Sequence, residues 1–361
     1  MSAPRVRMRP DVAAIQPYRQ GRMADADAFK LSSNENPFEP LPSVVAAVAA
    51  APLNRYPEGS ARLLRERIAE RWGVTPEQVY VGPGSVSIIG HLLTAMSGPG
   101  TEIVFAEQSF EAYAGLTASV GATAVRVPAT ADGRHDIPAL IAAVTDRTRL
   151  LFLCSPNNPT STIITRAEFD EVMAAVPRDL LVVLDEAYIE FNTDPNAVDG
   201  REVLAQHPNL IALRTFSKAW GLAGLRVGYG VAESYIIDAI NAIHVPLAIT
   251  DLAQRAAVTS LEHEDELLAR VAIIVERRDR VQAALRAQGW DVPAAQGNFV
   301  WLPIGERNRE AGEYFERHGL VVRAVYDGVR VSIGEEESVA PLLRSAENVI
   351  AALRSGAPLA G

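Results

Sequence analysis

Cysteine is almost missing from this 361-residue chain, which has only Cys154. An intramolecular disulfide framework is excluded, and a reducing, cytoplasmic setting is expected. The thiol lies in the apolar run LLFLC, where a buried, inert side chain is expected in place of a nucleophile. The six histidines show no HxxxH spacing and no CxxC accompanies them, so the sequence offers no metal site. No apolar run approaches the roughly 18 residues of a membrane span. No block of like charge stands out either, which argues against nucleic-acid and anionic-membrane partners. The basic opening, MSAPRVRMRPDVAAIQPYRQG, lacks the apolar core of a signal peptide; residues 1–30 read as a flexible or partner-docking arm.

What is present is a globular balance, 48% hydrophobic and 22% charged, with a net charge of −10. The length suits one large domain with a smaller one attached. Seven apolar runs (QVYVG, EIVFAE, TAVRVP, RLLFLCSP, LLVVLDEAY, NLIALRTF and LRVGYG) look like strands. Segments such as SVSIIGHLLTAM, FEAYAGLTASV and TRAEFDEVMAAV separate them, with apolar residues three and four apart. That alternation predicts an α/β domain over 45–250 with a mainly parallel seven-stranded sheet. Beyond 250 the pattern turns helical. The runs NFVWLPI, GLVVRAV and GVRVSIG then predict a small mixed sheet, and EEESVAPLLRSAENVIAALRS a closing amphipathic helix. Residues 31–44 and 251–361 are expected to form this smaller α+β domain.

Open parallel sheets place their sites at the carboxyl ends of the strands. Five stretches there carry polar chemistry. In VYVGPGSVSI, Ser85 and Val86 open a helix, either as a phosphate site or as a capped turn. Phe110 in FAEQSFEAY suits stacking on a flat cofactor or filling the core. Asn158 in LCSPNNPTST offers donor and acceptor together, or merely shapes a turn. Asp185 ends the apolar run of LLVVLDEAY, with Tyr188 three residues on; a buried carboxylate there needs a cationic partner, a metal or a protonated ring nitrogen. Lys218 lies in RTFSKAWGLAGLRVGYG, with Thr215 and Ser217 before it and Arg226 after it, in a chain where lysine is scarce.

Taken in order, these motifs resemble the fold-type I, class I/II aminotransferases. LSSNENPFEP, RYPEGS, SPNNPT, LDEAYIEF, RTFSKAWGLAGLRVGY and VRVSIG are similar to the histidinol-phosphate aminotransferase group, and the resemblance spans roughly residues 8–355. It implies pyridoxal 5'-phosphate as cofactor, held as a Schiff base on Lys218, which then serves as acid and base. Asp185 would pair with the pyridine nitrogen, Tyr188 and Asn158 with the phenolic oxygen, and Phe110 would stack on the ring. Ser85, Val86, Thr215, Ser217 and Arg226 would hold the phosphate, joined by Tyr56 of a neighbouring subunit, so a homodimer is implied. Arg330 is the implied grip on the substrate carboxylate, with Tyr18 and Arg323 as further substrate-side residues. In one departure, Ser161 stands where the family usually has glycine after PNNPT, and a serine is expected to exclude a freely left-handed backbone.

The substrates implied are small amino acids and 2-oxo acids. Histidinol-phosphate enzymes usually carry acidic residues at the cofactor helix start, where this chain reads GSVSI. SFEAY and NNPTST resemble the aromatic (phenylalanine) branch. Aromatic amino acids with 2-oxoglutarate are therefore the expected pair, and histidinol phosphate the alternative. A lyase with the same cofactor, or a catalytically silent relative, are the rival readings; Arg330 speaks for a substrate that keeps its carboxylate.

Overall fold

The computed structural model describes residues 27–359, together with Val6, residues 9–13 and Ile15. In chain order the strands are β1 (Phe29–Lys30), β2 (Val79–Gly82), β3 (Glu102–Glu107), β4 (Thr123–Pro128), β5 (Thr148–Cys154) and β6 (Leu181–Asp185). They continue with β7 (Leu210–Thr215), β8 (Gly228–Ala232), β9 (Phe299–Pro303), β10 (Leu320–Val321), β11 (Arg323–Val325) and β12 (Gly328–Ser332).

All seven apolar runs between 78 and 230 become strands of one sheet, ordered β2-β8-β7-β6-β5-β3-β4. The pairs among β3, β4, β5, β6 and β7 are parallel, and β8 alone runs against both its neighbours. Helices make the parallel crossovers, among them Ser85–Met96, Ala112–Ser119 and Arg166–Ala175. Between β7 and β8 lie only turns and the short 3-10 segment Ala223–Leu225, and the chain returns antiparallel.

Both faces of the sheet are covered, which explains the unbroken apolar runs. Leu151, Leu153, Val182 and Leu184 face one core, and Leu150, Phe152, Cys154 and Val183 the other. The strand alternation thereby places Asp185 on the same face as Val183, under the helices Ser85–Met96 and Ala112–Ser119. Cys154 is buried as expected, and burial pushes its thiol up to about 12.

The smaller sheet departs from expectation. GLVVRAV breaks after Val321: β10 pairs in parallel with β1, and β11 joins a purely antiparallel sheet, β11-β12-β9. The expected mixed sheet is therefore two separate sheets, because Phe29–Lys30 takes β10 as its partner. The helical region after 250 also divides, at His263, into Asp251–Glu262 and Glu264–Ala287. The closing helix spans Val339–Ser355.

Candidate functional site

Adjacent strands β6 and β7 end with Asp185 opposite Leu213, and Lys218 follows in the turn beyond β7. Asp185 is buried among apolar neighbours, with Cys154 its register partner on β5. Its Oδ2 accepts a hydrogen bond from the Tyr113 hydroxyl at 2.6 Å, whereas Oδ1 has no hydrogen-bond partner. Burial pushes this carboxyl up to about 6, opposed in part by the Tyr113 hydroxyl. A buried acceptor left in this way calls for a donor that the chain itself does not supply.

Lys218 is one of two lysines in the chain; the other, Lys30, is paired with Glu35 at 2.8 Å. Its Nζ is half-buried, donates to Ser33 O at 2.8 Å and lies 5.7 Å from the Tyr188 ring centroid. Burial, then the charge of Arg330, holds the amine down at about 7. A large share of this amine is thus neutral and nucleophilic near neutral pH, which an ordinary lysine is not.

Tyr188 is buried, and its hydroxyl accepts from Asn34 Nδ2 at 3.0 Å. Arg330 on β12 donates from Nη1 to Asn158 Oδ1 at 2.5 Å and from Nη2 to Ser32 O at 2.5 Å. These contacts aim a planar, permanently charged fork while keeping it nearly enclosed. Asn158, Tyr188, Lys218 and Arg330 are thereby drawn into one cluster.

A second group gathers at the helix Ser85–Met96. Gly84 precedes it at φ 78°, and a Cβ there would lie 2.6 Å from Arg226 Nη2. Only a bare backbone lets the guanidinium settle over the helix start. Arg226 Nη1 reaches Ser217 Oγ at 3.3 Å, and Ser217 N donates to Thr215 Oγ1 at 3.1 Å. Gly228 on β8 also presses on this turn, since a Cβ would stand 2.7 Å from Ser85 N. The first N–H groups of a helix have no intrahelical acceptor, so Ser85, Val86, Ser217 and Arg226 together make a cradle for an anion. Phe110 is partly buried with its ring 5.5 Å from that of Tyr113, between this cradle and Asp185 in chain order.

Tyr56, Arg323 and Tyr18 are the other expected site residues. Tyr56 is 86% exposed and lies outside the buried cluster. Arg323 stands opposite Arg330 in the β11–β12 register and is engaged by Glu111, with Nη2 2.9 Å from Oε1 and 3.1 Å from Oε2. Tyr18 lies outside the described residues.

The reading of Ser161 is overturned. It adopts the left-handed conformation, φ 66°, while fully buried. Its Oγ accepts from Gly297 N at 2.7 Å and Gln296 N at 3.1 Å, which offsets the strain that a side chain meets there.

Sequence reasoning missed the lacing residues. Ser32 and Ser33 offer carbonyls to Arg330 and Lys218, and Asn34 reaches Tyr188. Asn36 Nδ2 donates to Ala219 O at 3.0 Å, and Tyr113 supports Asp185. The signal was there: SSNEN is polar, ends at a proline and is buried at Ser32 and Asn34, although no apolar run precedes it.

The buried Asp185 Oδ1, the cradle at Gly84 and the neutral amine of Lys218 fit a phosphorylated pyridine aldehyde. The comparisons agree with that chemistry. The family model for aminotransferase class I and II matches residues 26–345. The aromatic amino acid aminotransferase of Streptomyces avermitilis is 48% identical over 344 residues, covering 94% of this chain and 96% of that protein. The protein of the same name from Thermobifida fusca is 49% identical over 333 residues, 91% of this chain and 92% of that one. Among solved structures, the histidinol-phosphate aminotransferase of Sinorhizobium meliloti in complex with pyridoxal-5'-phosphate superposes with a TM-score of 0.88 at 26% identity, over 98% of this chain and all of that one. This chain belongs to the class I and II aminotransferases, pyridoxal 5'-phosphate enzymes of fold type I.

Proposed function

We propose that the protein is an aromatic amino acid aminotransferase, exchanging the amino group between phenylalanine or tyrosine and 2-oxoglutarate, as a cytoplasmic homodimer. The observation that carries the chemistry is a Lys218 amine whose affinity for the proton is lowered by burial and by the charge of the enclosed Arg330 guanidinium, with both residues tied to the segment Ser32–Ser33. One supplies a base and the other a grip for a carboxylate that must stay on the substrate. The aromatic choice is supported by relatives of that name at 48% and 49% identity. The proposed division into a domain at 45–250 and another at 31–44 with 251–361 is supported by the large sheet, whose strands lie within 79–232, and by the small sheets, whose strands lie within 299–332 and at Phe29–Lys30, so that the end of the expected arm at 1–30 joins the smaller domain.

When bound, the cofactor supplies an electrophilic carbon and a ring that withdraws the electron pair of the substrate Cα–H bond. The roles of the residues follow from their surroundings. Arg330 takes the α-carboxylate with its fork held by Asn158 and Ser32, which fixes the orientation of Cα. Lys218 Nζ, held down at about 7, has a large neutral fraction near pH 7 and removes the proton at the substrate Cα. Asp185, as the carboxylate, keeps a proton on the pyridine nitrogen through an oxygen that otherwise lacks a donor. Ser85, Val86, Thr215, Ser217 and Arg226 would hold the cofactor's phosphate, Tyr188 and Asn158 its phenolic oxygen, and Phe110 would pack against its ring.

The second reading, histidinol phosphate, draws support from the likeness to the Sinorhizobium meliloti enzyme. Against it stands the start of the helix Ser85–Met96, which reads GSVSI where histidinol-phosphate enzymes usually carry acidic residues. A neutral benzyl group instead gains burial worth roughly 2 kcal/mol. The test is a side-by-side assay of phenylalanine, tyrosine and histidinol phosphate with 2-oxoglutarate. The aromatic donors should show the higher kcat/KM; a large advantage for histidinol phosphate would reverse the choice.

A further inference from the structure

Ser161 holds φ at 66° in a fully buried position. Strain of this kind persists only where surrounding contacts over-determine it. Here its N–H donates to Asn157 O at 2.7 Å, and its Oγ and O both accept from the segment 296–297. Gln296 N lies 2.8 Å from Ser161 O, and Gly297 N lies 2.7 Å from Ser161 Oγ.

Both ends of this strap lead to the same guanidinium. Asn158, in the turn that Ser161 closes, accepts from Arg330 Nη1. Phe299, just after Gly297, opens β9; its ring centroid is 5.7 Å from Arg330 Cζ and 4.9 Å from the Tyr188 ring. β9 then pairs with β12, setting Trp301 opposite Arg330. The approach is tight: a Cβ on Gly297 would stand 2.7 Å from the Phe299 ring and 3.1 Å from Ser161 Oγ.

We propose that Ser161 is a positioning residue for recognition of the substrate carboxylate. Its hydroxyl fastens the turn bearing Asn158 to the lead-in of β9, and so fixes where Arg330 presents its fork. This rests on the reading of Arg330 as the carboxylate grip. A glycine would take φ 66° without strain but would leave the N–H of Gly297 without the hydroxyl. The serine accepts the strain and defines the spacing. Small displacements matter here, because a bidentate fork binds a carboxylate only when both N–H groups meet its oxygens.

Two substitutions separate hydroxyl from strain. Ser161→Gly removes both, and Ser161→Ala removes the hydroxyl but keeps the strain. The probe is 3-phenylpropionate, which has the ring and carboxylate of phenylalanine and no amine, measured as a competitive inhibitor of the holoenzyme. Its Ki and the KM for phenylalanine should rise about tenfold in both variants, with kcat within about twofold of the parent. The cofactor absorbance band and the binding of phenethylamine, which has no carboxylate, should not change. An unchanged Ki in both variants, or a rise in Ser161→Ala alone, would overturn the proposal. Arg330→Ala is measured alongside. If it raises Ki while neither Ser161 variant does, only the role of Ser161 falls. If it leaves Ki unchanged, the carboxylate reading falls and the proposal with it.

Discussion

Tyr113 donates its hydroxyl hydrogen to Asp185 Oδ2 at 2.6 Å, from a ring stacked on Phe152 at a 4.6 Å centroid distance. The bond favours the carboxylate form of a group that burial drives toward the protonated form. Removing the hydroxyl with Tyr113→Phe should raise the Asp185 pKa further. A hydrogen bond to a charged group is worth about 1.5 kcal/mol, close to one pH unit. The acid limb of the kcat/KM profile should therefore move to higher pH by about one unit. A limb that stays in place would separate Tyr113 from the protonation of Asp185.

The same carboxyl links function to stability. Its folded pKa is about 6 against 3.8 for the free group, so the cofactor-free fold binds the extra proton. Its stabilising contribution is full below about 4 and is lost as pH rises through about 6. Asp185→Asn removes the buried charge and should stabilise the cofactor-free protein at neutral pH, by up to about 3 kcal/mol. Proton abstraction in the holoenzyme should slow by several orders of magnitude, about 3 kcal/mol or more. Urea melts and single-turnover rates measure the two effects; a variant both less stable and fully active would contradict both.

Lys218 has the opposite sign. Its pKa falls from 10.5 to about 7, so the folded chain releases a proton that the unfolded chain keeps. Stability from this group is present above about 10.5 and is lost as pH falls toward about 7. The neutral amine also reacts with an aldehyde, so cofactor capture by the cofactor-free protein should accelerate with a midpoint near pH 7. A midpoint near that of an ordinary lysine would refute the assignment. Lys218→Ala should abolish turnover, and borohydride should no longer fix the cofactor to the chain.

The sequence made some of this legible and hid the rest for physical reasons. Residues after apolar runs, such as Asp185 and Lys218, could be found because a parallel sheet exposes its strand ends. Tyr113, in SFEAY, carries only a helical signal in the sequence; its bond to Asp185 depends on how that helix packs over the sheet. Ser33 and Asn34 reach Lys218 and Tyr188 across more than 150 residues of chain, and no local pattern encodes such contacts. Ser161 shows the limit of propensity: its backbone preference is overridden by hydrogen bonds to a segment more than 130 residues away.

Tyr56 leads to the remaining prediction. It is 86% exposed, beside Leu53 at 82%, with Val245 at 64% on a facing segment. Gln254 Nε2 donates to Glu58 O at 2.9 Å, and a Cβ on Gly59 would stand 3.3 Å from Leu247 Cδ2, so the two segments are neighbours. Exposed apolar side chains of this kind suit an interface, and the proposed homodimer with shared sites would put Tyr56 at the partner's phosphate. Leu53→Asp should yield a monomer of low activity in sedimentation. Tyr56→Phe should remain dimeric and bind the cofactor about tenfold more weakly, the loss of one hydrogen bond to an anion. Subunits carrying Lys218→Ala and subunits carrying Tyr56→Ala should each be impaired alone. Allowed to exchange, they should recover about a quarter of the parental activity, since half of the dimers are mixed and each has one intact site. No recovery among exchanged dimers would place both residues in sites built from a single chain.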